Sequence, residues 1–305
     1  MIRISTISVS LCCFLFIMPA EAQDTPKVDV GWLATNDLFV GPEDRWRTGS
    51  LSYSLTFGLP DSGPAPAQFG RVIELRFGGE VIAPESLANA APDDRPFAGV
   101  LSLGLHTHFH RTVADFSVGL DLVFTGPQTG LDDFQENIHE IVNAAIISDA
   151  TRANQIGDDF NPTLVVEAGR IFLVGDNARL RPFVEGRWGL ETLVRVGFDL
   201  SIGGFGHGVL ARDPFTGQRY ELSAQDFPGW SLIIGGDIAN VRDSELLPSS
   251  SGVQLNSTRT RLRAGLNYQW NSGSALFYGV TWLDEEFATQ DEGQFVGSVR
   301  LRLKF

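Results

Sequence analysis

Cysteine is nearly missing from this chain. Its two copies, Cys12 and Cys13, both sit in the apolar N-terminal run. Arg3, the run Ile4–Met18 and then Pro19-Ala20-Glu21-Ala22 read as a cleaved export signal. Ala20 and Ala22 form the small-x-small site, so cleavage is expected after Ala22. The run is too short for a helical anchor, and Leu11 stands before Cys12 where a lipoprotein signal wants a small residue. The expected exported domain, residues 23–305, then holds no cysteine. That excludes a disulfide scaffold, a thiolate zinc site and a cysteine nucleophile. Positive charge is short as well: 23 Lys and Arg face 37 Asp and Glu, for a net charge of −14. Removing Arg3 and Glu21 together leaves that balance unchanged, and it argues against nucleic acid as a partner. No long apolar run follows the signal. Entry into a membrane would therefore be by strands, since only helices and closed barrels satisfy their backbone groups in lipid.

What the chain does have is a period of two. Leu51, Tyr53, Leu55, Phe57 and Leu59 alternate with Ser50, Ser52, Ser54 and Thr56. Val299, Leu301, Leu303 and Phe305 alternate with Ser298, Arg300, Arg302 and Lys304. One face wants lipid and the other a polar lumen. Comparable stretches are Val28–Leu38, Arg71–Ile82, Phe97–His110, Val113–Phe124, Thr163–Val174, Arg179–Leu190, Thr192–Ile202, Trp230–Ala239, Thr258–Trp270, Ala275–Phe287 and Phe295–Phe305. With Gly49–Leu59 they give about twelve strands of bilayer-crossing length. The expected fold is an all-β, transmembrane antiparallel barrel occupying residues 23–305. Its long connections, Pro60–Gly70, Ala83–Pro96, Gly126–Asn161, Gly203–Gly229 and Arg242–Ser257, are expected outside the cell and its short turns in the periplasm. Trp32, Phe39, Trp46, Trp188, Phe227, Trp230 and Trp270 suit interfacial girdles.

One segment departs from this pattern. In Leu131–Ile147 the apolar residues Leu131, Phe134, Ile138, Ile141, Val142 and Ala145 recur at helical spacing, which predicts a helix of about four turns in the longest loop. Thr129 is a candidate N-cap, with acidic residues in the first turn. Gln135 and His139, four apart, share a face. His106, His108 and His110 alternate along one strand. They would suit zinc if they faced water, and an interfacial or periplasmic strand end is the simpler reading.

Asn36-Asp37, then Arg47-Thr48-Gly49, resemble the opening of the outer-membrane lipid A 3′-O-deacylases, the LpxR-type family. Asp93-Asp94-Arg95-Pro96-Phe97-Ala98-Gly99 is similar to that family's Asp-Arg-Pro-Tyr-Ala-Gly motif. Gly126-Pro127, Gly130, Gln135, His139 and Asn154-Gln155 follow in the family's order, and the last strands from Arg259 to Phe305 also resemble it. The resemblance implies a twelve-stranded barrel with an active site at the outer-leaflet rim. It implies His139, Asp37, Asn36 and Thr48 as catalytic positions, with Gln135 nearby, and calcium-dependent hydrolysis of the 3′-linked acyloxyacyl chain of lipid A. Arg47 and Arg95 are candidate substrate contacts. The expected partners are lipopolysaccharide and other outer-membrane lipids, acting on a monomer.

Those residue types suit ester hydrolysis. A histidine, whose ordinary pKa lies near neutrality, serves as general base. Asp37 is the natural oxygen ligand for calcium. Asn36 would donate to the oxyanion and Thr48 would orient a water or ligand. By strand parity Thr48 and Asp37 are expected to face the barrel interior, and Asn36 the opposite way. Gly79–Asp94 contains no Lys or Arg, whereas family members can carry a lysine there. Two alternatives follow: a phospholipid esterase with the same catalytic set, and a non-catalytic barrel, either a narrow channel or a structural protein.

Overall fold

The computed structural model describes residues 27–41, 44–60, 63–223 and 227–304. The export signal and the terminal Phe305 lie outside these residues. The strands are β1 (Val28–Asn36), β2 (Trp46–Phe57), β3 (Val72–Ala83), β4 (Ala98–Arg111), β5 (Ala114–Thr125), β6 (Asp159–Gly169), β7 (Phe172–Val174), β8 (Ala178–Trp188), β9 (Glu191–Ile202), β10 (Leu210–Arg212), β11 (Arg219–Glu221), β12 (Gly229–Ser244), β13 (Thr258–Gln269), β14 (Ala275–Leu283) and β15 (Gln294–Arg302). Two helices, α1 (Leu131–Val142) and α2 (Asp149–Ala153), lie between β5 and β6.

All neighbours pair antiparallel. β1 meets β15 through Ala34↔Val299, Thr35↔Ser298 and Asn36↔Gly297, and β6 meets β8, so the sheet closes. The short β7 continues the run of β6 beside β8, and β10–β11 form a separate hairpin. The wall is therefore twelve strands, as the alternation predicts. No helix among the described residues is long and apolar enough to cross a membrane.

The alternation sorts the two faces. Leu51, Phe77, Leu103, Leu120, Val196, Phe198, Leu262, Leu266 and Leu276 are exposed on the outer wall, where lipid covers them. Ser52, Ser54, Thr56, Arg300 and Ser298 are buried toward the lumen. A soluble sandwich would show the reverse. Trp46 is the exception among the girdle aromatics: it is buried, packed with Leu247, Val253 and Phe287.

The lumen is filled. Asp237 receives Arg261 at 3.0 Å, Arg195 at 3.0 Å and Arg263 at 2.5 Å. Glu74 holds Arg76 at 2.8 Å, His108 at 2.6 Å and the Ser54 hydroxyl at 2.5 Å. The hairpin β10–β11 inserts among these groups. Arg212 reaches Glu167 at 2.6 Å and Asp199 at 2.8 Å, and Glu221 accepts from Arg300 at 2.7 Å. Tyr220, Leu222 and Leu210 pack against Leu33, Phe205, Ile233 and Phe277.

The fold corrects the loop assignment. Gly203–Gly229, together with Pro60–Gly70, emerges at the end that carries the tight turns after β4 and β7, opposite α1. Loop length misleads here because much of the longer segment folds back as the lumenal hairpin. At the α1 end, conversely, β8 and β9 are joined by Gly189-Leu190 alone. The histidine tract is settled by pairing: His106 binds Asp121 at 2.7 Å, His108 binds Glu74, and His110 binds Asp115 at 2.8 Å. Each imidazole has its own carboxylate, and the tract lies toward the end of β4 opposite α1.

Candidate active site at the outer rim

Helix α1 lies against the outside of the barrel, beside β3 and β4. It is shorter than the periodicity predicts, because Asn143 ends it in a left-handed conformation (φ 56). Its N-cap is Gly130; Thr129 instead belongs to a preceding 3-10 turn, with its hydroxyl on the Gly126 carbonyl at 2.7 Å. The burial pattern is inverted relative to a soluble helix. Asp132, Gln135 and His139 are buried, while Phe134, Ile138 and Ile141 are exposed. That orientation suits a helix whose outer side touches acyl chains.

Two devices fix its position. Arg152 of α2 bridges Asp132 at 2.6 Å, Asp133 at 3.0 Å and Glu136 at 2.5 Å. The Ser148 amide and the Thr151 hydroxyl both donate to the Leu87 carbonyl, at 3.0 and 2.8 Å, which ties α2 to the β3–β4 loop. The Asp-Arg-Pro motif organises that loop. Asp94 accepts from the amides of Glu85 and Arg95 at 2.5 and 2.7 Å, and Phe97 packs with Leu87 and Ile147. A Cβ at Gly99 would lie 2.5 Å from Thr129 Oγ1, so only glycine lets the start of α1 come this close.

Between α1 and the wall of β2–β4 runs a groove of about 940 Å³, within the size range of ligand sites. Its apolar lining includes Leu51, Tyr53, Phe77, Leu101, Phe134 and Ile138; its polar lining includes Asn36, Asp44, Thr48, Gln135 and His139. Among the described residues, no Lys or Arg side chain lines it.

His139 is 7% exposed. After Asn143 the chain doubles back and places the Ala145 carbonyl 2.5 Å from His139 Nδ1. A carbonyl only accepts, so Nδ1 carries the proton and Nε2 is the nitrogen left for chemistry. Nε2 lies 3.1 Å from Asp44 Oδ2. Thr48 lies near enough to Asp44 to lower its carboxyl. Asp37, 1% exposed, is buried beside this group rather than on the groove wall; its Oδ2 accepts from the Arg45 amide at 3.1 Å and its Oδ1 from the Leu38 amide at 2.9 Å. Burial, reinforced by the charge of Asp44, pushes the Asp37 carboxyl up to about 8. Burial also raises Asp44, against the lowering effect of His139 and Thr48. Gln135, 7% exposed, has no hydrogen-bond partner at either amide atom.

The structure thus brings Asn36, Thr48, Gln135 and His139 to one groove, with Asp37 adjacent. Thr48 departs from its parity. The β2–β3 register shifts between Arg47 and Gly49, and this bulge turns Arg47 into the lumen and Thr48 outward to Asp44. Asn36 has the outward parity the groove needs, since the groove is on the barrel's lipid side. Its Oδ1 caps the Asp37–Phe39 turn through the Leu38 amide at 2.8 Å, so Nδ2 is the side-chain atom not used in the cap. Arg47 and Arg95 do not reach the groove. Arg47 binds Glu286 at 2.8 Å and also Glu80, while Arg95 is buried against Glu286. Against its burial, Arg47, Arg259 and Arg95 together hold Glu286 well below the usual carboxylate range. Sequence reasoning missed Asp44; its place between Asp37 and Thr48, in a loop joining two candidate site strands, was the available signal.

A lipid-facing barrel wall, an external helix and a polar cluster at their junction define an outer-membrane β-barrel with a cleft open to the leaflet. Residues 9–305 match the family described as Outer membrane protein LpxR, and the chain belongs to that family. LpxR from Salmonella typhimurium shares the fold with a TM-score of 0.70 at 18% identity, over 92% of this chain and 100% of that one. The β-domain of the Bordetella autotransporter BrkA gives 0.46 at 10% identity, over 91% and 99%, and the KdgM porin 0.40 at 6%, also over 91% and 99%. No curated protein matches the sequence.

Proposed function

We propose that this chain hydrolyses the 3′-linked acyloxyacyl ester of lipid A in the outer leaflet. The carrying observation is His139: a buried imidazole with Nδ1 tied to a carbonyl and Nε2 turned toward the Asp44 carboxyl, on an apolar groove open to lipid. In this reading the acyl chain lies along Leu51, Phe77, Leu101 and Phe134, which brings the ester to the polar end. His139 Nε2 takes a proton from water, the water oxygen adds to the ester carbonyl, and the departing alkoxide receives that proton. Asn36 Nδ2 donates to the oxyanion. Gln135, with both amide atoms unpartnered, positions the water or the ester.

The residues fit a hard divalent cation such as calcium. Two carboxyls, Asp37 and Asp44, are crowded together and disfavoured as anions by burial, and a cation relieves both. Bound on Asp37, it would supply positive charge to the ester carbonyl. A groove wall without Lys or Arg also supports a second reading, in which a phospholipid ester is the substrate. The filled lumen argues against a channel.

Mass spectrometry of lipids from cells expressing the wild type and His139→Ala, with and without chelator, separates these readings. Loss of the 3′ acyloxyacyl mass only with intact His139 supports the first. Lysophospholipid with unchanged lipid A selects the second. Unchanged lipids in all cells remove both.

A further inference from the structure

The ion pairing that fills the lumen runs out at the barrel end opposite α1. A cavity of about 290 Å³ opens there, between β8, the hairpin β10–β11 and the turn that joins β4 to β5. Three guanidiniums line it: Arg179, Arg181 and Arg219. Two carboxylates face them, and both are taken. Glu167 is held by Arg212 at 2.6 Å as well as by Arg181 at 2.7 Å, and Asp115 binds His110 at 2.8 Å. Asp199, on a small adjoining cavity, is held by Arg212 and Arg263. Arg179 donates to two backbone carbonyls, Gly203 and Phe205, at 3.2 Å each. Arg219 makes no ion pair among the described residues. Its Nε is buried without a hydrogen-bond partner, and the strongest single charge acting on it is the like charge of Arg181. Arg181 is 4% exposed, and its Nε also lacks a partner. Gly169 makes room for it: a Cβ there would lie 2.3 Å from the guanidinium carbon. His207 borders the same space, and burial, then the charge of Arg179, holds its imidazole below the ordinary value.

Guanidiniums gathered in an enclosed space cost free energy unless an anion is shared among them. We propose that this cavity binds a phosphate-type oxyanion, which bridges Arg179 and Arg181 of the wall to Arg219 of the lumenal hairpin. The forked N–H groups of arginine match such an ion, and a phosphate offers oxygens to donors from three sides. Two sources carry this chemistry: free phosphate in solution and the headgroup of a phospholipid. The rim carries Val113, Ile171 and Leu173, all exposed, which would rest on acyl chains in the second case. The site lies at the other end of the barrel from His139 and does not depend on how the groove works.

Titration calorimetry on the full-length protein refolded in a nonionic maltoside detergent tests it. One arm uses inorganic phosphate, and the other uses phosphatidylglycerol mixed into the micelles. The wild type should bind in at least one arm, and Arg179→Gln and Arg219→Gln should each weaken that binding on the order of tenfold. Arg170→Gln, at an exposed arginine that lies over the Phe172 ring outside the cavity, should leave it unchanged. A second readout is the temperature at which heat-modifiable gel mobility is lost. With neither phosphate nor the lipid present, Arg219→Gln should match the wild type or exceed it, because a repelled charge is gone. With the bound probe present, the wild type should be the more stable. An arginine with a merely structural role would make the variant weaker in both conditions. Binding in the phosphate arm alone supports the site with the free ion as its occupant, and binding in the lipid arm alone supports it with the headgroup. Binding in neither arm, an Arg219→Gln affinity equal to wild type, or an Arg219→Gln variant less stable without either probe overturns the proposal. So does an equal loss in Arg170→Gln, which marks diffuse attraction to the surface.

Discussion

The lumen and the outer groove both bury polar side chains, yet they treat them in opposite ways. In the lumen, charge meets charge: Asp237 is ringed by Arg195, Arg261 and Arg263, and Glu167 is shared by Arg181 and Arg212 at 2.7 and 2.6 Å. The unpartnered atoms on Arg181, Arg195, Arg259 and Arg300 are guanidinium nitrogens of groups that already hold a carboxylate. At the groove, the charge of Asp44 bears on Asp37 buried beside it, and a whole amide goes without a partner among the described residues. Burial that is compensated holds a barrel shut. Burial left uncompensated marks a place built for something that arrives later.

Four substitutions press on that contrast. The largest effect belongs to His139→Ala, which should lower deacylation by about 10²–10⁴-fold, the usual worth of a general base, and leave the barrel's heat-modifiable mobility intact. Its lumenal counterpart is Asp237→Asn. Arg261 loses its carboxylate partner, while Arg195 keeps Glu185 and Arg263 keeps Asp199, so stability should fall by about 3–5 kcal/mol, read as a lower temperature of gel-mobility shift, while activity per folded molecule is retained. A groove-only effect of Asp237→Asn would erase the distinction between the two regions.

Asp37→Asn should show a sign that depends on pH and metal. The Asp37 carboxyl sits at about 8 in the folded chain, well above its ordinary value. The fold therefore favours the protonated form. The stability this group contributes is complete below about 4, near the ordinary carboxyl value, and is lost as pH rises through 8. In chelator, Asp37→Asn should be more stable than the wild type at pH 9 and equal to it at low pH. With calcium the order at high pH should reverse. A flat difference across pH would show that Asp37 is not held neutral.

The smallest structural effect is expected for Gln135→Leu. No hydrogen bond is lost, so thermal stability should stay level or rise slightly, while lipid deacylation falls. A clear loss of stability would mean that the amide has a partner and that the groove is as closed as the lumen.

The strands were legible because lipid on one side and water on the other impose a strict period of two, and most predicted boundaries lie within a few residues of those found. What was not legible lacks that asymmetry. In β10–β11, Leu210, Ala211 and Arg212 are all buried, with no lipid face to set a rhythm. Thr48 was misdirected because parity counting assumes that every residue pairs, and the bulge at Arg47–Gly49 breaks the count. His139, Asn36, Thr48 and Gln135 were found through family resemblance. Asp44 was not, because a lone acidic residue in a loop has no periodicity to betray it. Arg47 and Arg95 were drawn to a ligand by their charge, but their buried carboxylate partners lie far along the chain, where no local pattern shows them.

The outward face of α1 carries a consequence for how any substrate is met. Phe134, Ile138 and Ile141 need a hydrocarbon surface to rest on, and the groove that Phe134 and Ile138 border opens sideways into it. Under the proposed reading, an ester dispersed singly in water approaches from the wrong phase, and the helix beside it has lost its support. Turnover should therefore depend on the packed amphiphile surface around the barrel, so that the leaflet acts as part of the binding site.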